Sequence, residues 1–176
     1  LVATLKERFS DWKIQPKFTM VTNGSILTQE INDWFVENID SGAISHDGPG
    51  QSIRGPDPFD DPEQKAIIFD LYNRMNSLEN RNLSFNSMLT ANNFSRLGIY
   101  NWFKEITGDQ NVKLGEGGLI DAYDEGGIGS SLISNSQQFD FRKTAFAEIL
   151  ITGGDIGFSG ILQKIDNFVY RVLNHI

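Results

Sequence analysis

The residues that could do chemistry in this sequence are carboxylates, one internal histidine and a glycine-rich stretch. That stretch, residues 113 to 136, reads KLGEGGLIDAYDEGGIGSSLISNS and holds six of the chain's 17 glycines. A loop that binds phosphate through its backbone requires glycines at fixed spacing, and a Walker loop also requires Lys followed by Ser or Thr. No Lys lies among these glycines, no dinucleotide fingerprint joins a strand to a helix, and the acidic residues of the stretch repel phosphate. The sequence therefore argues against a nucleotide site.

Carboxylates are the second source of possible chemistry. Asp121, Asp124 and Glu125 are hard oxygen donors that are close in sequence, as calcium requires. They lack the regular spacing of an EF-hand, and so does the second acidic stretch at residues 57–63. Paired carboxylates also serve glycoside hydrolysis, for which Glu116 and Glu148 are further candidates, but any acidic chain offers such pairs. We predict no metal site, no cofactor and no assigned catalytic residue.

The internal histidine, His46, lies in the sequence ISHDGPGQS beside Asp47. A Ser–His–Asp site would need Ser45 or Ser52 as its nucleophile, and neighbours on one loop rarely converge as a triad demands. The Gly-x-Ser-x-Gly elbow does not occur. Enzymatic activity is therefore left uncertain, with the balance against it.

Periodicity predicts the elements that must position these residues. Helices are predicted at 2–12, 27–39, 61–78, 94–106 and 159–176, and strands at 14–20, 83–85 and 138–151. Asp61 followed by Pro62 is a typical helix start, Asn92 or Asn93 is expected to cap the next helix, and Gly108 is expected to end it. The pattern predicts one α+β domain over residues 1–176. We expect a small, mostly antiparallel sheet of three to four strands packed by four to five helices, with a parallel α/β sheet as the alternative.

Composition excludes several classes of protein. The formal net charge of −8, with Lys and Arg scattered, argues against nucleic-acid binding and against anionic membrane surfaces. The absence of cysteine excludes disulfides and thiolate zinc sites. Because neither a signal peptide nor a transmembrane run is seen, we expect a cytoplasmic or virion location.

Two long loops, 41–61 and 113–136, carry no chemical signature, and such loops are typically functional or mobile. We therefore predict a structural or assembly protein, a subunit of a larger complex such as a phage or virus particle, a tail or an injection machine. Its expected partners are other protein subunits, including copies of itself. The predicted interface residues are Glu116, Asp121, Tyr123, Asp124, Glu125, His46, Asp47, Arg54 and Phe59. The alternatives are a small hydrolase with an acidic or histidine site on a loop, and a carbohydrate- or ligand-binding module.

Overall fold

The computed structural model describes residues 1–53, 55–91, 93–115, 118–119 and 136–152. The chain divides into two compact units: unit 1 comprises Leu1–Ser45 and Pro56–Phe85, and unit 2 comprises His46–Gly55 and Asn86–Ile176. That residues 1–176 form one domain stays a prediction. None of the helices in the described ranges is long and apolar enough to cross a membrane.

The described elements alternate between helices and strands. The helices are α1 Val2–Arg8, α2 Gln29–Asn38, α3 Pro62–Ser77, α4 Arg96–Thr107 and α5 Gln138–Thr152, with a 3-10 helix at Gly48–Ile53. The strands are β1 Thr19–Thr22, β2 Ser41–Ser45, β3 Asn82–Asn86, β4 Met88–Leu89 and β5 Gly118–Leu119. The predicted helix at 159–176 lies outside the described residues.

The main sheet has the order β1-β2-β3 and its strands are parallel. The register of β1 and β2 runs from Thr19 opposite Ser41 to Thr22 opposite Ile44. Each strand is joined to the next by a helix, which is how parallel neighbours are connected. The mixed helix and strand composition is confirmed, but the sheet is the parallel one of the stated alternative rather than the favoured antiparallel one. Residues 41–45, assigned to a loop, form its central strand because this short segment is buried between β1 and β3.

Helices α2 and α3 of unit 1 begin where local chemistry favours a start. Thr28 caps α2 by accepting from the N–H of Ile31, and Asp61 caps α3 by accepting from the N–H of Glu63, with Pro62 next, as predicted. Both helices pack apolar side chains into the core of unit 1. The fully buried members of that core are Phe35, Ile39, Ile44, Ile68, Leu71, Tyr72, Met75, Leu83 and Phe85.

An ionic network also joins these two helices. Arg74 Nη1 on α3 lies 2.7 Å from Asp33 Oδ1 on α2 and 3.3 Å from Asp70 Oδ2 on its own helix. The buried Asn32 of α2 donates from Nδ2 to Asp70 Oδ2 and to the carbonyl of Ile67. The network holds α2 against α3.

Unit 2 contains the strand pair β4–β5, which is parallel, and the helices α4 and α5. Ser95, not Asn92 or Asn93, caps α4 by accepting from the N–H of Gly98, and Gly108 ends this helix with φ +72°, as predicted. The Asn93 side chain instead donates to the carbonyl of Asp47.

The clearest error of the sequence prediction is α5, expected as the strongest strand of the chain. Its buried side chains are Phe141, Ala145 and Glu148, at helical spacings of four and three. The alternating pattern that predicted a strand also contains Phe139 and Ile151, which are 72% and 73% exposed. The alternation therefore reflects the abundance of apolar residues in this segment and not a buried face.

Candidate functional site

The candidate site lies at the carboxyl ends of β2 and β3. The chain continues from β2 into His46, Asp47 and Gly48, and from β3 into Ser87 and Met88. The N–H of His46 donates to the carbonyl of Asn86 over 2.9 Å, so these two segments lie side by side in unit 2. Open parallel α/β sheets place their ligands at this end of the strands.

His46 is completely buried, and a backbone N–H two residues further along the chain bonds to its ring. Its Nδ1 accepts from the N–H of Gly48 over 3.0 Å, which assigns the proton of the neutral ring to Nε2. The ring stacks on Trp102, with centroids 5.4 Å apart, and meets the edge of Phe103. Because Nδ1 accepts from a backbone N–H, this atom does not donate to a carboxylate as the histidine of a Ser–His–Asp site does.

Asp47 uses its polar groups to join three segments of unit 2. Its carboxylate Oδ1 accepts from the N–H of Met88 over 2.7 Å, and its own N–H donates to Gln51 Oε1. Its carbonyl accepts from Asn93 Nδ2 over 2.8 Å. Asp47 therefore positions the residues that follow β2 relative to those that follow β3.

Asn86, the last residue of β3, is the unexpected member of the site. Its amide oxygen Oδ1 is buried and has no hydrogen-bond partner within the described residues. Burying a polar group without a partner costs about 1–3 kcal/mol in proteins. Sequence reasoning missed Asn86, although a polar residue at the end of a predicted strand is the signal that would have found it.

Two charged side chains are buried beside the start of α4. The guanidinium of Arg96 donates to the carbonyl of Gly115. Glu148 of α5 accepts from Ser95 Oγ over 2.5 Å and from the N–H of Leu97 over 3.1 Å. Its carboxylate thus satisfies a free N–H of the α4 N-terminus, where negative charge is favoured. Glu148, considered from the sequence as a candidate carboxylate for glycoside hydrolysis, caps a helix.

The predicted interface residues fall into two groups. Phe59, His46 and Asp47 are buried, and Phe59 packs edge-on against Phe69 and Phe85 in unit 1. The rest of the set lies outside the described residues: Arg54, Glu116, Asp121, Tyr123, Asp124 and Glu125. The interface role of the set, and the partners expected for it, stay predictions.

No group of three or more potential metal ligands is found within the part of the chain that the structure describes. In the acidic stretch at 57–63, Asp57 accepts from the N–H of Phe59 and Asp61 caps α3. These two carboxylates therefore stabilise local backbone structure.

Comparison with known proteins finds a similar fold among solved structures. No protein-family model and no curated protein matches the sequence. Among solved structures with a similar fold is a polyhistidine-tagged anSMEcpe "with bound AdoMet", at 19% identity and a TM-score of 0.63. Two others, at 17% identity and the same TM-score, are "Native anSMEcpe with bound AdoMet", one with Kp18Cys peptide and one with Cp18Cys peptide. The match covers 93% of this chain but only 46% of the solved chains, so the chain spans about half their length.

This likeness contradicts the function predicted from the sequence. The chains that share the fold bind AdoMet, which is not the behaviour expected of a structural subunit of a virus particle, tail or injection machine. The hydrolase and carbohydrate-module alternatives gain no support from it. The reasoning failed because it took long loops without a chemical motif as a sign of assembly, while the relevant likeness lies in the arrangement of the strands.

Proposed function

We propose that this chain is part of an AdoMet-binding enzyme. The observation that carries the proposal is the fold: 93% of the chain is similar to chains that hold AdoMet, although the identity is only 17–19%. Because those chains are about twice as long, the proposal concerns AdoMet binding by this part of the protein and leaves the acceptor substrate open.

We place AdoMet at residues 46–48, which follow β2, and at residues 86–88, which comprise the last residue of β3 and the two after it; all of these belong to unit 2. The carboxyl ends of parallel strands are where ligands bind in open α/β sheets. When bound, AdoMet supplies a carbon centre activated by its sulfonium group.

The residues present fit such a ligand. AdoMet carries hydroxyl, ammonium and amino donors, and Asn86 Oδ1 is a buried acceptor without a donor of its own in the described chain. The side chains of Asp47 and His46 accept hydrogen bonds from the backbone N–H groups of Met88 and Gly48, so their role is to hold the site in one geometry. A site built on such rigid segments loses little conformational entropy when the ligand binds.

Isothermal titration calorimetry with AdoMet tests the proposal. We expect saturable binding that S-adenosylhomocysteine weakens by competition and that ATP, which shares only the adenosine, leaves nearly unchanged. Ligand binding to the folded state should also raise the melting temperature as the AdoMet concentration rises. A dissociation constant of about 1 mM corresponds to a binding free energy of only about −4 kcal/mol. No detectable heat of binding up to that AdoMet concentration would overturn the proposal.

The position of the site is tested separately by NMR. Amide shifts caused by AdoMet should concentrate at residues 46–48 and 86–88, at the carboxyl ends of the strands. The amides of Ser41 and Asn82, at the amino ends of β2 and β3, serve as the internal control and should move little. Shifts concentrated at the amino ends would contradict the placement even if AdoMet binds.

A further inference from the structure

Asn86 and Asn76 can be compared because both amide side chains lie near β3: Asn86 is its last residue, and Asn76 of α3 contacts the backbone of Leu83 near its start. Asn76 Nδ2 donates to the carbonyl of Leu83 over 2.8 Å, and the N–H of Leu83 donates to Asn76 Oδ1 over 3.2 Å. At the amino end of β3, the amide side chain is thus used in holding the backbone. At the carboxyl end, Asn86 Oδ1 is buried and accepts no hydrogen bond from the described residues.

Alternation along β3 decides which face of the sheet Asn86 occupies. Leu83 and Phe85 are fully buried, and the Phe85 ring stacks on Tyr72 of α3 with centroids 5.0 Å apart. Successive side chains of a strand point to opposite faces. Ser84 and Asn86 therefore lie on the face of β3 that is turned away from α3, and Ser84, the neighbour of Asn86 on that face, has a short side chain.

Three donors in the segments that adjoin Asn86 bond to other acceptors. The N–H of His46 donates to the backbone carbonyl of Asn86, and the hydroxyl of Ser87 donates to the carbonyl of His46 over 2.7 Å. The N–H of Met88 donates to Asp47. None of these three donors is therefore left for Asn86 Oδ1. A buried oxygen without a hydrogen bond lowers the stability of the folded chain.

We propose that Asn86 Oδ1 is a ligand-binding group that accepts a hydrogen bond from AdoMet, either from a hydroxyl of its ribose or from its α-ammonium. This inference rests on the proposed function and adds to it a specific positioning residue. Buried polar groups that do not stabilise the folded chain are characteristic of binding sites, where the ligand supplies the missing hydrogen-bond partner. Asn86 then orients AdoMet at the carboxyl end of β3.

The experiment compares Asn86→Leu and Asn86→Ala with the matched control Asn76→Leu, using the whole chain. The melting temperature without ligand and the dissociation constants for AdoMet and methylthioadenosine are measured for each variant. Methylthioadenosine keeps the nucleoside of AdoMet but lacks the α-ammonium, so it separates the two donors.

We expect Asn86→Leu to keep or raise the melting temperature and to weaken AdoMet binding about 10-fold, the effect of losing one hydrogen bond. Asn76→Leu should lower the melting temperature and leave the affinity of the folded protein for AdoMet unchanged. An equal loss for methylthioadenosine excludes the ammonium and agrees with a contact to the ribose, and an unchanged affinity for it assigns the contact to the ammonium.

The failures are distinguishable. If the wild-type protein does not bind AdoMet, the proposed function falls and this inference with it. If the wild type binds and both Asn86 variants bind equally well, the inference alone is wrong. If both Asn86 variants lower the melting temperature as Asn76→Leu does, Asn86 is a structural residue, satisfied by an ordered water, and the inference is overturned.

Discussion

Glu148 offers a direct test of how α5 is joined to α4. The residue is 6% exposed, and its carboxylate accepts two hydrogen bonds, from Ser95 Oγ over 2.5 Å and from the N–H of Leu97 over 3.1 Å. Hydrogen bonds to a charged group contribute about 1.5–3 kcal/mol each, and charge at a helix N-terminus contributes about 0.3–1 kcal/mol. Because such contributions are not additive within one network, we expect Glu148→Ala to lower the free energy of unfolding by about 2–4 kcal/mol.

Urea denaturation followed by circular dichroism measures this loss, with a parallel fall in melting temperature of about 5–12 °C for a chain of this size. Glu148→Gln keeps an acceptor for the N–H of Leu97 and exchanges the acceptor for the Ser95 hydroxyl for an amide donor, so it should lose about 1 kcal/mol. Glu105→Ala, at an exposed position of α4, is the control and should change stability by less than about 0.5 kcal/mol. If Glu148→Ala lowers the free energy of unfolding as little as the control does, the contact between Glu148 and the N-terminus of α4 is refuted, and with it the packing of α5 as a helix against α4.

Two further predictions concern unit 1. Gly42→Ala places a Cβ 2.7 Å from the carbonyl oxygen of Met20 in β1 and 3.0 Å from the side chains of Phe35 and Leu83. We therefore expect the free energy of unfolding, measured by urea denaturation, to fall by about 2–3 kcal/mol. A fall of less than about 0.5 kcal/mol would contradict the packing of α2 on β2. Partial burial alone raises the pKa of Asp70, but hydrogen bonds from Asn32, Gln29 and Arg74 outweigh it and leave that pKa lowered. A lowered folded-state pKa gives stability that is present above the unfolded pKa of about 3.9 and is lost as the pH falls through the folded pKa. Asp70→Asn should therefore cost less than about 1 kcal/mol at neutral pH, because the group is partly exposed, and nothing in strong acid. A stability difference that grows toward acid pH would contradict this assignment.

Local physics made several elements of this protein predictable from the sequence. The start of α3 follows from Asp61 and Pro62, because a carboxylate cap and a residue without an N–H satisfy the first turn regardless of the rest of the fold. The end of α4 follows from Gly108, which takes a positive φ without a steric penalty. The mixed helix and strand class follows from the sum of such local signals.

The tertiary structure alone decided the direction of the sheet, the conformation of residues 138–152 and the content of the candidate site. Strand direction depends on pairing between segments that are distant along the chain, and β2 is too short to show a pattern of its own. In α5 the apolar residues are dense enough to satisfy both periods, and only tertiary packing selects the face that holds Phe141, Ala145 and Glu148. The hydrogen bonds of His46 and Asp47, and the lack of one at Asn86 Oδ1 among the described residues, arise where the ends of β2 and β3 lie side by side. That proximity follows from the folded sheet and not from any spacing in the sequence.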